Sequence, residues 1–237
     1  MHQVDGLKAT YSNELIEFLK KFITEERYKK FQTNIIQRTR FITIALEDIF
    51  QPHNASAVLR TCDCFGIQDV HIIENRNKYQ VNPDVALGSS KWLNLIHHNL
   101  AEDNTISCLK KLRQLGYRLV ATSPHQDGFT PETLPLDQKT ALIFGTELAG
   151  LSPMALEMAD DFIKIPMVGF TESLNISVSA AIFIQSLTSR LRTSSVPWQL
   201  SNEEQSEIMV DWLKNSIKRS DGLVNDFFQK REGPISK

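Results

Sequence analysis

Five polar residues in three separated segments have the types needed to bind an anion and move a proton. The first segment is "NASAVLRTCDCFG", Asn54 to Gly66, with Arg60 in its middle. The second is "GTELAGLS" (145–152), which carries Glu147, and the third is "PMVGFTESLN" (166–175), which carries Ser173 and Asn175. Each has a plain structural reading. At 100° per residue Val58, Leu59, Cys62 and Phe65 share one helical face, which leaves Arg60 roughly opposite, solvated and three residues from Asp63. Asn54 suits an N-cap, Glu147 suits the start of a helix, and Ser173 and Asn175 suit the cap of the helix that follows. Taken together, they put an arginine, an asparagine, a glutamate and a serine on one rim.

That rim depends on the elements around it. Helical spacing of Leu15, Ile16, Leu19, Phe22 and Ile23 follows a possible cap at Ser12. A second helical stretch, 25–36, has Tyr28, Phe31, Ile35 and Ile36 on its apolar side. From Phe41 short apolar runs alternate with helical segments. "FITIAL" (41–46), "VHII" (70–73), "RLVAT" (118–122), "TALIF" (140–144) and "FIKI" (162–165) read as strands. Helices are expected at 54–66, 102–115, 152–159, 175–192, 201–217 and 221–230, with Trp212, Leu213 and Ile217 available to dock the first of the last two. The alternation predicts an α/β fold, a mostly parallel sheet with helices on both faces. The expected organisation is a helical N-terminal extension (1–40), a catalytic domain (41–192) and a helical C-terminal extension (193–237). Ligands of such sheets bind beyond the carboxyl ends of the strands, where the polar segments fall.

Composition narrows the chemistry. The chain has 237 residues, 41% hydrophobic and 23% charged, an ordinary globular balance. It has no 18-residue apolar run and no secretory signal pattern, and its three cysteines suit a reducing compartment, so a cytoplasmic protein with no membrane association is expected. Cys62 and Cys64 lack a second Cys/His pair to complete a zinc set. The dinucleotide and phosphate-loop glycine patterns are absent, as is the nucleophile elbow. Charge is uneven: Lys/Arg outnumber Asp/Glu by 8 to 5 in 1–40, trail by 10 to 16 in 41–186, and stand at 8 to 7 in 187–237. Basic ends could form a basic footprint for a partner or be chance.

Three blocks, "PHNASAVLRTCDCFGI" (52–67), "IFGTELAGLS" (143–152) and "IKIPMVGFTESLNISVSAAI" (163–182), resemble the three motifs of the SpoU/TrmH branch of the SPOUT methyltransferases. The resemblance covers roughly 41–192. It implies a C-terminal deep trefoil knot, S-adenosylmethionine as methyl donor held by the knot loops, a homodimer with the active site near the subunit interface, and transfer to a ribose 2′-hydroxyl of RNA. No metal is required. By the same resemblance Arg60 matches the motif-one arginine proposed to be catalytic, and Asn54, Glu147, Ser173 and Asn175 match its companions. Thr122, Gly145, Ile165 and Leu174 match cofactor-pocket positions, and Glu172 departs from a frequent glutamine. Arginine is normally protonated, so Arg60 either loses a proton beside a substrate phosphate or only holds phosphate and developing charge. Helical extensions resemble those of the transfer-RNA branch, which methylates guanosine 18 in the D-loop. Arg27, Lys29, Lys30, Arg38, Arg40, Lys214, Lys218 and Arg219 are the expected RNA contacts. The alternatives are ribosomal RNA as substrate, or an inactive RNA-binding relative.

Overall fold

The computed structural model describes residues 12–232 apart from 81, 87 and 148. Two compact units divide the chain: Thr39–Trp198, and a second that combines the described residues of Met1–Arg38 and Gln199–Lys237. The two terminal extensions, separate in sequence, therefore belong to one unit.

That helical unit contains α1 (residues 12–19), a 3-10 turn at Lys20–Phe22, α2 (Glu25–Ile35), α8 (Asn202–Ser216) and α9 (Ser220–Glu232). The Thr24 hydroxyl caps α2 by accepting from the Arg27 amide, and Ser201 with Glu204 forms a capping box on α8. Leu15, Leu19, Phe31, Ile35, Trp212 and Leu213 are buried, and the Phe31 and Trp212 rings lie 5.6 Å apart. Phe22 and Ile36 fall off the expected apolar faces and are 47% and 51% exposed. The 3-10 turn and the end of α2 break the helical period just where each stands.

The Thr39–Trp198 unit is built on six parallel strands: β1 (Ile42–Glu47), β2 (Asp69–Ile73), β3 (Asn94–His98), β4 (Arg118–Thr122), β5 (Thr140–Phe144) and β6 (Asp161–Ile163). Their order is β3-β2-β1-β5-β4-β6. Five follow the apolar runs of the sequence. The edge strand β3, "NLIHH", was not expected, because its polar and half-buried residues lack the apolar run of an interior strand. Its helices are α3 (Pro52–Phe65), α4 (Pro83–Ala86), α5 (Asn104–Gln114), α6 (Pro153–Met158) and α7 (Ile176–Thr193).

Strand alternation sorts the core. Ile42, Ile44, Leu46, Leu142 and Phe144 join Val58, Leu59, Cys62, Phe183 and Leu187 in one apolar cluster with α3 and α7. Ala45, Leu119, Ala121, Ala141 and Ile143 join Cys108, Leu109, Leu112 and Ala155 in another with α5 and α6. The helices thus cover both faces, as expected. Among the described residues no helix is long and apolar enough to cross a membrane.

Candidate active site

The strand order reverses between β1 and β5, which pair in register from Ile42↔Thr140 to Leu46↔Phe144. The segments that leave their carboxyl ends must therefore meet. The first carries Asn54 and the second Glu147. The Asn54 side-chain amide donates to Glu147 Oε1 at 2.7 Å and to Gln51 Oε1 at 3.0 Å. Asn175, from the segment after β6, donates to the same Glu147 oxygen at 2.5 Å and to Asn54 Oδ1 at 3.2 Å. Three residues from three motifs thus form one closed amide–carboxylate cluster.

Local structure sets each side chain. α3 starts two residues earlier than expected, because Pro52 occupies its first turn with φ already suited to a helix. Gln51 is the N-cap, so Asn54 is not a cap; it lies inside the first turn, 3% exposed, with its amide committed to the cluster. Asn175 is the cap of α7, its Oδ1 accepting from the Ser177 amide at 2.8 Å and hydroxyl at 2.6 Å. Its amide end is thereby aimed at Glu147. Glu147 caps nothing: Ser152 caps α6 through the Ala155 amide. The 145–150 loop closes on itself through reciprocal Thr146–Gly150 backbone bonds of 2.9 and 3.0 Å. A Cβ at Gly145 would stand 2.1 Å from the Gly150 carbonyl oxygen, so only glycine fits there.

Sequence reasoning missed Glu47, the last residue of β1 and 3% exposed. Its carboxylate accepts from the Ser152 amide (2.8 Å) and hydroxyl (2.7 Å) and from the Thr105 hydroxyl (2.6 Å), which anchors the end of the Glu147 loop. A carboxylate that closes a mostly apolar strand was the available signal.

A cavity of 410 Å³ opens beside the cluster. Thr122, Gly145, Ile165 and Leu174 all line it, with Ser173, Glu172 and Glu147. Thr122 spends its hydroxyl on the Ile143 carbonyl at 2.9 Å, which leaves backbone and apolar groups to face the space. Apolar walls joined to carboxylates suit an aromatic ligand that carries positive charge, and the donor expected from the motifs, S-adenosylmethionine, is of that kind.

Arg60 lies elsewhere. It is exposed, lines neither this cavity nor a second, smaller one that Glu147 also walls, and forms no ion pair among the described residues. The expected contacts for RNA also divide. Arg27, Lys29, Lys30, Lys218 and Arg219 are exposed, Lys29 beside Glu25 at 3.4 Å; Lys214 is half-buried, 3.5 Å from Asp221. Arg38 is 4% exposed with its guanidinium 5.2 Å from the Trp212 ring centre, and Arg40 is half-buried against Asp69 at 3.1 Å. These two are internal cations rather than charges offered to phosphate.

Away from the rim, His71, His98 and Cys108 bring one ligand atom each within 4.8 Å of one another, all buried. The two imidazoles hydrogen-bond at 3.0 Å. Burial, helped by the neighbouring His98, lowers the His71 pKa to about 3, and burial pushes the Cys108 thiol up to about 12, so the group is held neutral.

An open parallel sheet with a cavity and an amide–carboxylate cluster at its switch point defines an α/β enzyme that acts on a small-molecule cosubstrate. The chain belongs to the SpoU rRNA Methylase family, whose model matches residues 41–185. It is 43% identical over 210 residues to the tRNA (guanosine(18)-2′-O)-methyltransferase of Borreliella burgdorferi, covering 89% of this chain and 94% of that one. It is 32% identical to the protein of the same name from Thermus thermophilus, over 81% of this chain and 97% of the relative. Among solved structures, the A. aeolicus TrmH/SpoU tRNA modifying enzyme superposes with a TM-score of 0.72 at 29% identity, over 82% of this chain and 98% of that chain.

Proposed function

We propose that this protein transfers the methyl group of S-adenosylmethionine to the 2′-hydroxyl of guanosine 18 in the D-loop of transfer RNA. The observation that carries the reading is the Asn54–Glu147–Asn175 cluster, built from three separated segments, whose Glu147 lines the 410 Å³ cavity. The relatives' names, which specify that nucleotide, support the substrate.

S-adenosylmethionine supplies an electrophilic methyl on a sulfonium; the carbon–sulfur bond breaks as the carbon–oxygen bond to the ribose forms, and the hydroxyl proton must leave. Thr122, Gly145, Ile165 and Leu174 hold the donor, mainly through backbone and apolar contact. The shared Glu147 oxygen holds Asn54 and Asn175 in fixed orientation, so the groups that meet the ribose need little reorganisation. Ser173, on the cavity wall, is available to the substrate. Arg60 holds the target phosphate and either stabilises the negative charge developing on the 2′-oxygen or, deprotonated beside that phosphate, accepts the hydroxyl proton. No step is assigned to a metal.

The reading includes a homodimer. Val168 and Phe170 are fully exposed, and Leu174, Val178 and Ile182 add 37%, 46% and 37% exposure along the same segment and α7. Such a run of apolar side chains suits burial against a second copy. In that dimer Arg60 of the partner subunit completes the site, which accounts for its absence from both cavities of one chain. The reading also includes the C-terminal trefoil knot, and the proposed setting is the cytoplasm. Arg27, Lys29, Lys30, Lys214, Lys218 and Arg219 supply phosphate contacts from the helical unit.

Unmodified transfer RNA transcript, labelled S-adenosylmethionine and purified protein test the proposal. One 2′-O-methylguanosine at position 18 is expected. Methylation of ribosomal RNA fragments alone, or of nothing, would refute it.

A further inference from the structure

A second cavity, of 230 Å³, also has Glu147 in its wall. The two share a wall made by Thr146, Glu147 and Ile176. Asn54 lines only the second, together with Phe50, Gln51 and Asn77. Phe50 is 74% exposed although it sits in a short connection between β1 and α3, where an aromatic gains nothing from water.

The surroundings are braced. Asp48 takes a left-handed backbone (φ 51°), strained for a residue with a side chain. Its carboxylate Oδ1 accepts from the amides of Asn75, Arg76 and Asn77 at 2.7, 2.8 and 3.3 Å, and its carbonyl accepts from the Asn77 side-chain amide at 2.8 Å. Asn77 is thus fixed by its amide end, and no hydrogen bond within the described residues uses its Oδ1. Gln51 is the mirror case: its Oε1 is committed to Asn54 and its amide group is unspent. One acceptor, one donor and one aromatic face therefore surround a cavity next to the catalytic cluster.

We propose that this second cavity receives the guanine base of the target nucleotide, with Phe50 as its stacking platform and Asn77 and Gln51 as readers of its edge. The inference rests on the methyltransferase reading and deepens it. A ribose whose 2′-hydroxyl meets the methyl donor at the shared wall must carry its base away from the donor, and the second cavity, which adjoins the first at that wall, offers a space for it. Guanine presents N–H donors at N1 and N2 beside the O6 acceptor, the complement of a free Asn77 oxygen and a free Gln51 amide. Bases in RNA loops are recognised when splayed out, stacked on an aromatic and hydrogen-bonded along an edge.

The test compares transfer RNAs with guanosine or inosine at position 18, inosine lacking only the 2-amino group. Wild type should prefer guanosine by roughly fivefold in kcat/KM, the value of one hydrogen bond. Asn77→Ala should bring that ratio to about one. Phe50→Ala, at an exposed position that leaves folding intact, should lower kcat/KM about tenfold to a hundredfold, with Phe50→Trp restoring it and S-adenosylmethionine affinity unchanged. If wild type methylates G18 but neither variant alters the guanosine-to-inosine ratio or kcat/KM, the base pocket is refuted and the methyltransferase reading stands. A Phe50→Ala protein that loses activity by dissociating into single chains also refutes it, since Phe50 would then contact a second copy. No methylation of any transfer RNA by wild type overturns both.

Discussion

The start and the middle of α3 differ in kind. At its start Asn54 is buried and bonded to Gln51, Glu147 and Asn175. Two turns on, Arg60 is exposed and lines neither of the two cavities that Glu147 walls. Both belong to the same family motif. On the proposed reading, one chain builds the rigid half of the site around Glu147 and leaves the arginine on its surface. The apolar run through Val168, Phe170, Val178 and Ile182 lies exposed as well, which is the arrangement expected if a second copy supplies the charge.

Substitution should separate the two positions. Arg60→Ala should lower kcat about a hundredfold to ten-thousandfold while unfolding free energy moves by less than about 0.5 kcal/mol. Asn54→Ala should lower both, costing about 1–3 kcal/mol because Glu147 and Gln51 lose a partner. Urea unfolding beside steady-state kinetics checks each; equal stability losses at the two positions would erase the contrast. Val178→Asp with Ile182→Asp should yield single chains by light scattering, folded by circular dichroism, with activity reduced as far as by Arg60→Ala.

Acid separates scaffold from site more gently. His71 has a folded pKa of about 3 against an ordinary 6.5. Below pH 6.5 the unfolded chain binds a proton that the fold refuses, so stability should fall as pH drops from about 6.5 toward 3. The slope from this residue reaches at most about 1.4 kcal/mol per pH unit, and above 6.5 it vanishes. Thermal melts across that range, with His71→Gln flattening the curve, check it. Smallest of all, Lys218→Ala and Arg219→Ala should each weaken transfer RNA binding a few-fold and reduce the salt slope by about one, read by filter binding at several salt concentrations.

Much of this was legible in the chain. Interior strands announced themselves because parallel strands buried on both faces must be mostly apolar, as Ile42–Leu46 and Thr140–Phe144 are apart from Thr43 and Thr140. The edge strand β3 has no such demand and stayed hidden. The motif residues Asn54, Glu147 and Asn175 could be named, but that their amides and carboxylate share one oxygen follows from β1 pairing with β5, a long-range fact. Arg38 and Arg40 looked like surface cations because sequence does not reveal a Trp212 face or an Asp69 carboxylate waiting for them. Glu47, Phe50 and Asn77 belong to no motif block, and only the folded rim gives them a place.

Mixed dimers test the split site most directly. Arg60→Ala and Glu147→Ala proteins, each inactive alone, are refolded together and assayed on transfer RNA. If Arg60 serves the partner subunit's cluster, each mixed dimer regains one complete site, and methylation of guanosine 18 should return to about a quarter of the wild-type rate. A mixture no more active than its components, with mixed dimers demonstrated by mass spectrometry, would contradict the account.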